Sequence, residues 1–173
     1  MLKERPYKRQ GDLVCLVALI LPFLLLAAAS PDSHEVTNVE YFQFVLATGH
    51  PPPENWTGGN YPAGTADEPV VLVNWHDATS YCRWVIRRLP TVNEWMASCK
   101  SGLKKRGDVW EWTSTDVSVG LETFKALCGP SGSCDCSHRY LPDQKNEVKG
   151  FRCFRDSAPM TWLPLFFGQE VFS

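Results

Sequence analysis

Apolar and polar positions divide residues 30–156 into a series of short elements. Thr37, followed three positions on by Glu40, makes a capping box, in which each side chain satisfies a free backbone N–H of a helix start. Val39, Phe42, Val45 and Leu46 then recur at helical spacing until Gly49 and three prolines end the run, which predicts a first helix with those four residues inward. His50 to Glu68 mixes Pro, Gly and Asn with Trp56 and Tyr61 and reads as a long surface loop. Val70-Val71-Leu72-Val73 predicts a short buried strand, and Asn74 with Asp77 caps a second helix whose inner face is Ala78, Tyr81, Cys82 and Val85. Pro90 stops that helix, and Thr91 with Glu94 opens a third, short one running to about Cys99.

Beyond Gly107 the period changes. Trp110 and Trp112 stand at i and i+2, on one face of an extended segment, with Glu111 on the other, so a half-buried strand is predicted. Thr113-Ser114-Thr115-Asp116 is polar and turn-prone and bounds it. From Gly120 onward Gly, Pro, Ser and Cys follow with little periodicity, which reads as loops, until Gly150-Phe151-Arg152-Cys153-Phe154-Arg155 returns as a closing strand. No internal repeat is visible. The expectation is one α+β domain, rich in loops, over residues 31–156.

The two ends differ from this middle. Leu13 to Ala29 is uncharged and almost wholly aliphatic behind a net positive leader containing Lys3, Arg5, Lys8 and Arg9. That pattern inserts with the N-terminus in the cytoplasm and leaves everything after Ser30 outside. At about 25 Å it just spans a thin bilayer, so residues 1–30 read as a leader and transmembrane signal anchor. Ala27-Ala28-Ala29 leaves a cleaved signal peptide as the alternative. Residues 157–173 form an apolar C-terminal docking tail: Trp162, Leu163, Leu165, Phe166 and Phe167 are too apolar to lie free in water, while Pro159 and Pro164 oppose a regular helix. The tail covers its own domain, a partner protein or the membrane interface, and those five residues are assigned as partner-binding.

Composition narrows the function classes. Hydrophobic residues make up 44% of the chain and charged residues 21%, which is a globular balance, and the formal net charge is −2. A mildly acidic domain without a large basic patch does not bind nucleic acid, where phosphate neutralisation supplies most of the affinity. Arg87-Arg88 and Lys104-Lys105-Arg106 read as solvated charge, with lipid phosphates or an acidic partner as the alternative. Cys15 reads as a small buried hydrophobe within the apolar run. The other six cysteines, Cys82, Cys99, Cys128, Cys134, Cys136 and Cys153, fall in an oxidising compartment, where an even number implies disulfides first. A zinc cluster is disfavoured, because Cys134 and Cys136 are too close and His34, His50, His76 and His138 are scattered. Cys136-Ser137-His138 places a thiol near an imidazole but no orienting acid is evident, and Asn55-Trp56-Thr57, though it matches a glycosylation acceptor, reads as accidental.

Several of these stretches occur in a known order. Glu35-Val36-Thr37-Asn38, Thr48-Gly49, Pro69-Val70-Val71, Asn74-Trp75 with Asp77-Ala78, and Tyr81-Cys82-Arg83-Trp84 lead into Arg88-Leu89-Pro90-Thr91 and Glu94-Trp95. Gly107 to Thr113 and Gly150-Phe151-Arg152 complete the series, which resembles the formylglycine-generating enzyme (sulfatase-modifying factor) family over residues 35–155. The resemblance implies a C-type-lectin-like α+β fold, poor in regular structure. It also implies a core motif here made of Arg88, Pro90, Thr91, Glu94, Trp95, Gly107, Trp110, Glu111, Trp112, Gly150, Phe151 and Arg152.

Oxidases of the family hold copper on two cysteines near the end of the domain, a soft-ligand pair suited to copper(I). Cys128 and Cys134 are the nearest match, yet they stand one residue further apart than the family pair. Gly129-Pro130-Ser131-Gly132-Ser133 replaces the family's Arg-Gly-Gly-Ser, and Asp108 replaces its usual Asn. The family's long segment between the third helix and the Trp-Glu-Trp strand, which brings calcium ligands and one wall of the substrate groove, is reduced here to the few residues around Lys104-Lys105-Arg106. By the same resemblance Cys82 pairs with Cys153, Cys99 with Cys136 or Cys134, and Cys128 with the cysteine left over. Each bridge is worth about 2–4 kcal/mol.

The expectation is therefore a protein without catalytic residues, metal or cofactor. It is a single-pass membrane protein with its domain in the periplasm or extracellular space, serving as an accessory or scaffolding subunit of an integral membrane protein complex. The alternatives are a copper-dependent oxidase acting on sulfatases through Cys128 and Cys134, and a lectin-like binding protein using the loop from His50 to Glu68.

Overall fold

In a computed structural model, residues 29–104, 107–130 and 133–157 are described; the apolar N-terminal run, save Ala29, and the apolar tail from 158 onward lie outside them. Three helices come first: α1 (Asn38–Thr48), α2 (Trp75–Trp84) and α3 (Val92–Lys100). Each starts on a full capping box, Thr37 with Glu40, Asn74 with Asp77, and Thr91 with Glu94. Gly49 closes α1 in the left-handed conformation, its N–H bonded to the Val45 carbonyl. Among the described residues no helix is long and apolar enough to cross a membrane.

The buried stripe of α1 is not the predicted one. Asn38, Tyr41 and Phe44 are buried, Phe42 and Val45 pack at the margin, and Leu46 is 64% exposed. Tyr41 decides the rotation. Its ring stacks on Tyr81 of α2 at 5.7 Å and meets Phe151 and Trp56 edge-on, so the helix turns its aromatic side to the core. On α2 the inner face is Ala78, Tyr81 and Cys82, with Val85 packed against the core beyond the helix end.

The strands lie around this helical half. β1 is Ser30–Pro31, β2 Trp110–Val119, β3 Glu122–Cys128, β4 His138–Tyr140, β5 Lys149–Gly150 and β6 Phe154–Arg155. A four-stranded sheet has the order β4-β3-β2-β5, with β5 parallel to β2 and the other pairs antiparallel, and β1 pairs with β6 apart from it. Three predictions are corrected here. Val70–Val73 is no strand: Val70 and Val73 are buried, but Leu72 has φ 58° and the backbone bonds instead to Val36 and Asn146 in neighbouring loops. Thr113–Asp116 does not end β2, which continues through an irregularity between Trp112 and Asp116 to Val119 and returns as β3 after a tight turn at Gly120-Leu121. The closing strand is two ladders of two residues each, and between them Phe151–Cys153 runs buried beside the segment 32–36, with Val36 N–H bonded to the Phe151 carbonyl.

Candidate functional site

Trp95, Glu111 and Arg152 of the predicted core motif converge where β2, α3 and the segment after β5 meet. Trp112 is fully buried and donates its indole N–H to the Val73 carbonyl at 3.0 Å. Glu111 was expected to face outward between the tryptophans; it is fully buried instead, because a cation comes to it. Arg152, also fully buried, donates from Nε at 2.6 Å and from Nη2 at 2.9 Å to the two Glu111 oxygens, and Trp95 of α3 adds its indole N–H at 2.9 Å. Glu35, buried ahead of α1, stands 3.4 Å from Arg152 Nη2. Two carboxyl groups thus share one guanidinium. Burial pushes Glu111 above the ordinary carboxylate range and Glu35 adds to that, while the Arg152 and Trp95 hydrogen bonds oppose it.

Trp110 is only half-buried and lies with its ring centre 3.8 Å from that of His138. Arg88 grips Glu94 with two hydrogen bonds and reaches Asp156 of the chain after β6, and this pairing holds the Glu94 carboxyl down at about 2. Arg87 pairs with Asp32. Neither arginine is therefore a free solvated charge as read from the sequence; Lys104 is exposed, and Lys105 and Arg106 lie outside the described residues. Pro90 offers its carbonyl to the Ser114 N–H, and Gly107 lies so close to Pro69 that a Cβ would meet the ring carbon at 2.6 Å. The sheet also buries Lys149, which no sequence signal marked. Its ammonium sits 3.3 Å from the Tyr140 ring centre and 5.4 Å from that of Trp112, and burial lowers it to about 8.

All six described cysteines are bonded. Cys82 joins Cys153, Cys99 joins Cys134, and Cys128 joins Cys136. Of the two partners open to Cys99 the structure takes Cys134, which leaves Cys136 for Cys128. The pair offered as a copper site, Cys128 and Cys134, is thus split between two bridges, and Cys128 is wholly buried. Copper(I) needs thiolates, and a disulfide sulfur is not one, so this donor set does not fit the metal. The Cys136-Ser137-His138 grouping likewise offers no nucleophile, since Cys136 is bonded and His138 lies against Trp110. Among the described residues no three of His, Cys, Asp or Glu come together as a metal-holding group.

One hollow lies beside this lattice. A cavity of about 410 Å³ opens between the long loop, through Asn55, Pro62, Thr65 and Glu68, and the approach to β2 at Gly107–Val109. Asn38 at the start of α1 fixes the loop by donating to the Thr65 carbonyl at 2.9 Å. The aromatic punctuation serves the core: Trp56 is buried against Tyr41, Phe42 and Tyr61, while Asn55 stays exposed.

Residues 30–106 match the model of the sulfatase-modifying factor enzyme 1-like domain. Over residues 30–106 the chain is thus similar to the formylglycine-generating enzyme family, as a short and divergent domain. It is 43% identical over 60 residues to the formylglycine-generating enzyme of Bos taurus, covering 32% of this chain and 16% of that protein. With the formylglycine-generating enzyme of Streptomyces coelicolor it shares 47% over 47 residues, 27% of this chain and 15% of that one. With the inactive C-alpha-formylglycine-generating enzyme 2 of Mus musculus it shares 52% over 44 residues, 25% and 14% respectively. The matched segments thus span under a fifth of these relatives. Among solved structures, that of CarF superposes with a TM-score of 0.54 over 72% of this chain and 84% of the other at 16% identity, a likeness of fold alone. The domain thus combines a buried Glu111–Arg152–Glu35 cluster with six described cysteines that are all tied off in disulfides.

Proposed function

We propose that this chain is a non-catalytic member of its family, a membrane-anchored accessory or scaffolding subunit of a membrane protein complex. Its domain lies in the periplasm or extracellular space behind the apolar run Leu13–Ala29. The observation that carries the non-catalytic part is the sulfur pairing: Cys128 is bonded to Cys136 and Cys134 to Cys99, so the two sulfurs nearest the family's copper pair are not available to a metal. A resemblance to a mouse relative named as inactive agrees with it. Three disulfides in one domain fit an oxidising compartment, and the apolar run behind a basic leader fits an anchor.

The test has two arms. A non-reducing peptide map of the membrane-extracted protein finds these three bridges, and copper titration with a sulfatase-motif peptide yields no conversion of its cysteine. Conversion, or free Cys128 and Cys134 thiols, returns the oxidase. In mild detergent the chain migrates in a complex of fixed stoichiometry, and a monodisperse free monomer removes the subunit role. A second reading, a ligand-binding module, is favoured by the cavity between the long loop and Gly107–Val109. Glycan or peptide array binding that is lost with Asn55→Ala and Glu68→Ala supports it.

A further inference from the structure

A second hollow, of about 250 Å³, lies between the segment ahead of α1 and the end of α2, apart from the cavity beside β2. Asp32, Ser33, His34, Glu40, Tyr81 and Arg87 line it. Tyr81 marks it as more than a surface notch. That residue is 6% exposed and its ring is packed among Tyr41, Phe44 and Phe151, yet its hydroxyl makes no hydrogen bond among the described residues. A buried hydroxyl without a partner is costly and calls for an explanation. Burial raises the Tyr81 hydroxyl above the ordinary phenol range, Glu40 and Asp32 raise it further, and Arg87 opposes them, so the hydroxyl faces the charges that line the hollow.

The wall around that hydroxyl is fixed and keeps unused hydrogen-bonding capacity. Asp32 is held from both sides, its N–H on the Cys153 carbonyl and its own carbonyl under Arg152 Nη1. Arg87 gives Nη1 to Asp32 Oδ1, while its Nε and Nη2, like Asp32 Oδ2, make no hydrogen bond among the described residues. Glu40 Oε2 accepts from the Thr37 N–H and hydroxyl, which leaves Oε1 facing His34 at 3.3 Å. Unused donors on Arg87 and Tyr81 and open acceptors on Asp32 and Glu40 therefore border one small space. We propose that this hollow binds a small free α-amino acid, its carboxylate on Arg87 and the Tyr81 hydroxyl and its ammonium on Asp32 and Glu40. Charge and size select that class. Two carboxylates against one guanidinium leave the hollow net negative with His34 neutral, which turns away phosphate and other simple anions. A simple amine answers the carboxylates but leaves the donors of Arg87 and Tyr81 without an acceptor. The volume falls below the roughly 300–1,000 Å³ of sites for drug-sized ligands, and so polar a wall suits a short polar side chain. Neither the N-terminal run nor a cysteine takes part.

Equilibrium dialysis tests this, with the full chain in detergent micelles near neutral pH and radiolabelled L-serine as the probe. The expected result is retained serine, displaced by unlabelled serine. Ethanolamine, which lacks the carboxylate, and lactate, which lacks the ammonium, compete at least about tenfold more weakly, the worth of one hydrogen bond to a charged group. Tyr81→Phe separates binding from structure. It keeps the ring in its stack and removes an unsatisfied hydroxyl, so the melting temperature holds or rises while affinity for serine falls about tenfold. No retained serine at about 1 mM overturns the proposal, as does equal competition by ethanolamine or lactate. A Tyr81→Phe chain that melts like the wild type and binds serine equally well overturns it too.

Discussion

Replacing Arg152 by Met probes the buried charge cluster. Met roughly keeps the length of the side chain and removes the cation, so little of the effect is a cavity. In the wild type Arg152 gives two hydrogen bonds to Glu111 and stands 3.4 Å from Glu35, all three being fully buried. Without it two carboxyl groups face each other in the interior with only the Trp95 indole to solvate Glu111. Removing one partner of a buried ion pair costs about 3–5 kcal/mol. That is a large part of the 5–15 kcal/mol or so that holds a typical domain together. The double variant Arg152→Met with Glu111→Gln removes cation and anion together and recovers at least about 1 kcal/mol of the loss. The pH dependence carries the sign. Deprived of Arg152, Glu111 stays buried only by holding a proton, so its folded pKa rises further above the unfolded one. Stability from such raised carboxyls is present below the unfolded value and lost as pH rises through the folded one. The deficit of the single variant therefore widens from about pH 5 to about pH 8. Urea titrations followed by tryptophan fluorescence, with disulfides intact, measure it. A loss under about 1 kcal/mol, or a deficit equal at the two pH values, refutes the view that these charges depend on one another.

Three further outcomes follow from neighbouring features. Lys149 is buried against Tyr140 and Trp112 and held at about 8, below its ordinary value, so wild-type stability rises between about pH 8 and pH 10.5 as the folded state sheds its proton first. Lys149→Met abolishes that rise, which thermal melts across this range detect, and near neutral pH it gains about 1–2 kcal/mol once the lost cation–π contacts are set against the relieved desolvation. Glu94, held at about 2 by Arg88, contributes stability that is complete above about pH 4.5 and lost as pH falls through its folded value. With both side chains partly solvated, Glu94→Gln costs about 1–2 kcal/mol at pH 7 by denaturant titration and much less below about pH 3. Gly107→Ala drives a methyl group into the Pro69 ring and costs about 1–3 kcal/mol, read as a lowered melting temperature.

What could be read from the chain and what could not divides along sequence distance. The three helix starts were visible because a capping box is complete within four residues: Thr37 and Glu40, Asn74 and Asp77, and Thr91 and Glu94 need nothing else. Sheet membership depends on a partner elsewhere. Thr113–Asp116 looks like a turn until Lys125–Leu127 comes to pair around it, and Val70–Val73 looks like a strand although among the described residues none forms a ladder with it. The rotation of α1 was missed for the same reason. Phe42 and Leu46 are as apolar as Tyr41 and Phe44, and only the arrival of Tyr81 and Phe151 chooses between them.

The candidate site shows the point most sharply at Glu111. Alternation placed its carboxylate in solvent, the sound expectation for an unpaired charge, because burying one alone is costly. The guanidinium that reverses this lies 41 positions further on, and the second carboxylate, Glu35, comes from before the first helix. No periodicity within either segment records that they meet. A resemblance to a family does carry the order of these stretches, which is why Glu35, Trp95, Glu111 and Arg152 could be placed in one series before their contacts were known. The sulfurs behave differently. Their spacing in the sequence left every pairing open, and the exchange between Cys134 and Cys136 as partner of Cys99 turns on two residues in a loop. Under either pairing Cys128 is closed in a bridge; the one taken divides Cys128 and Cys134, the nearest match to a copper-holding pair, between two disulfides, so neither sulfur stands as a thiolate for a soft metal.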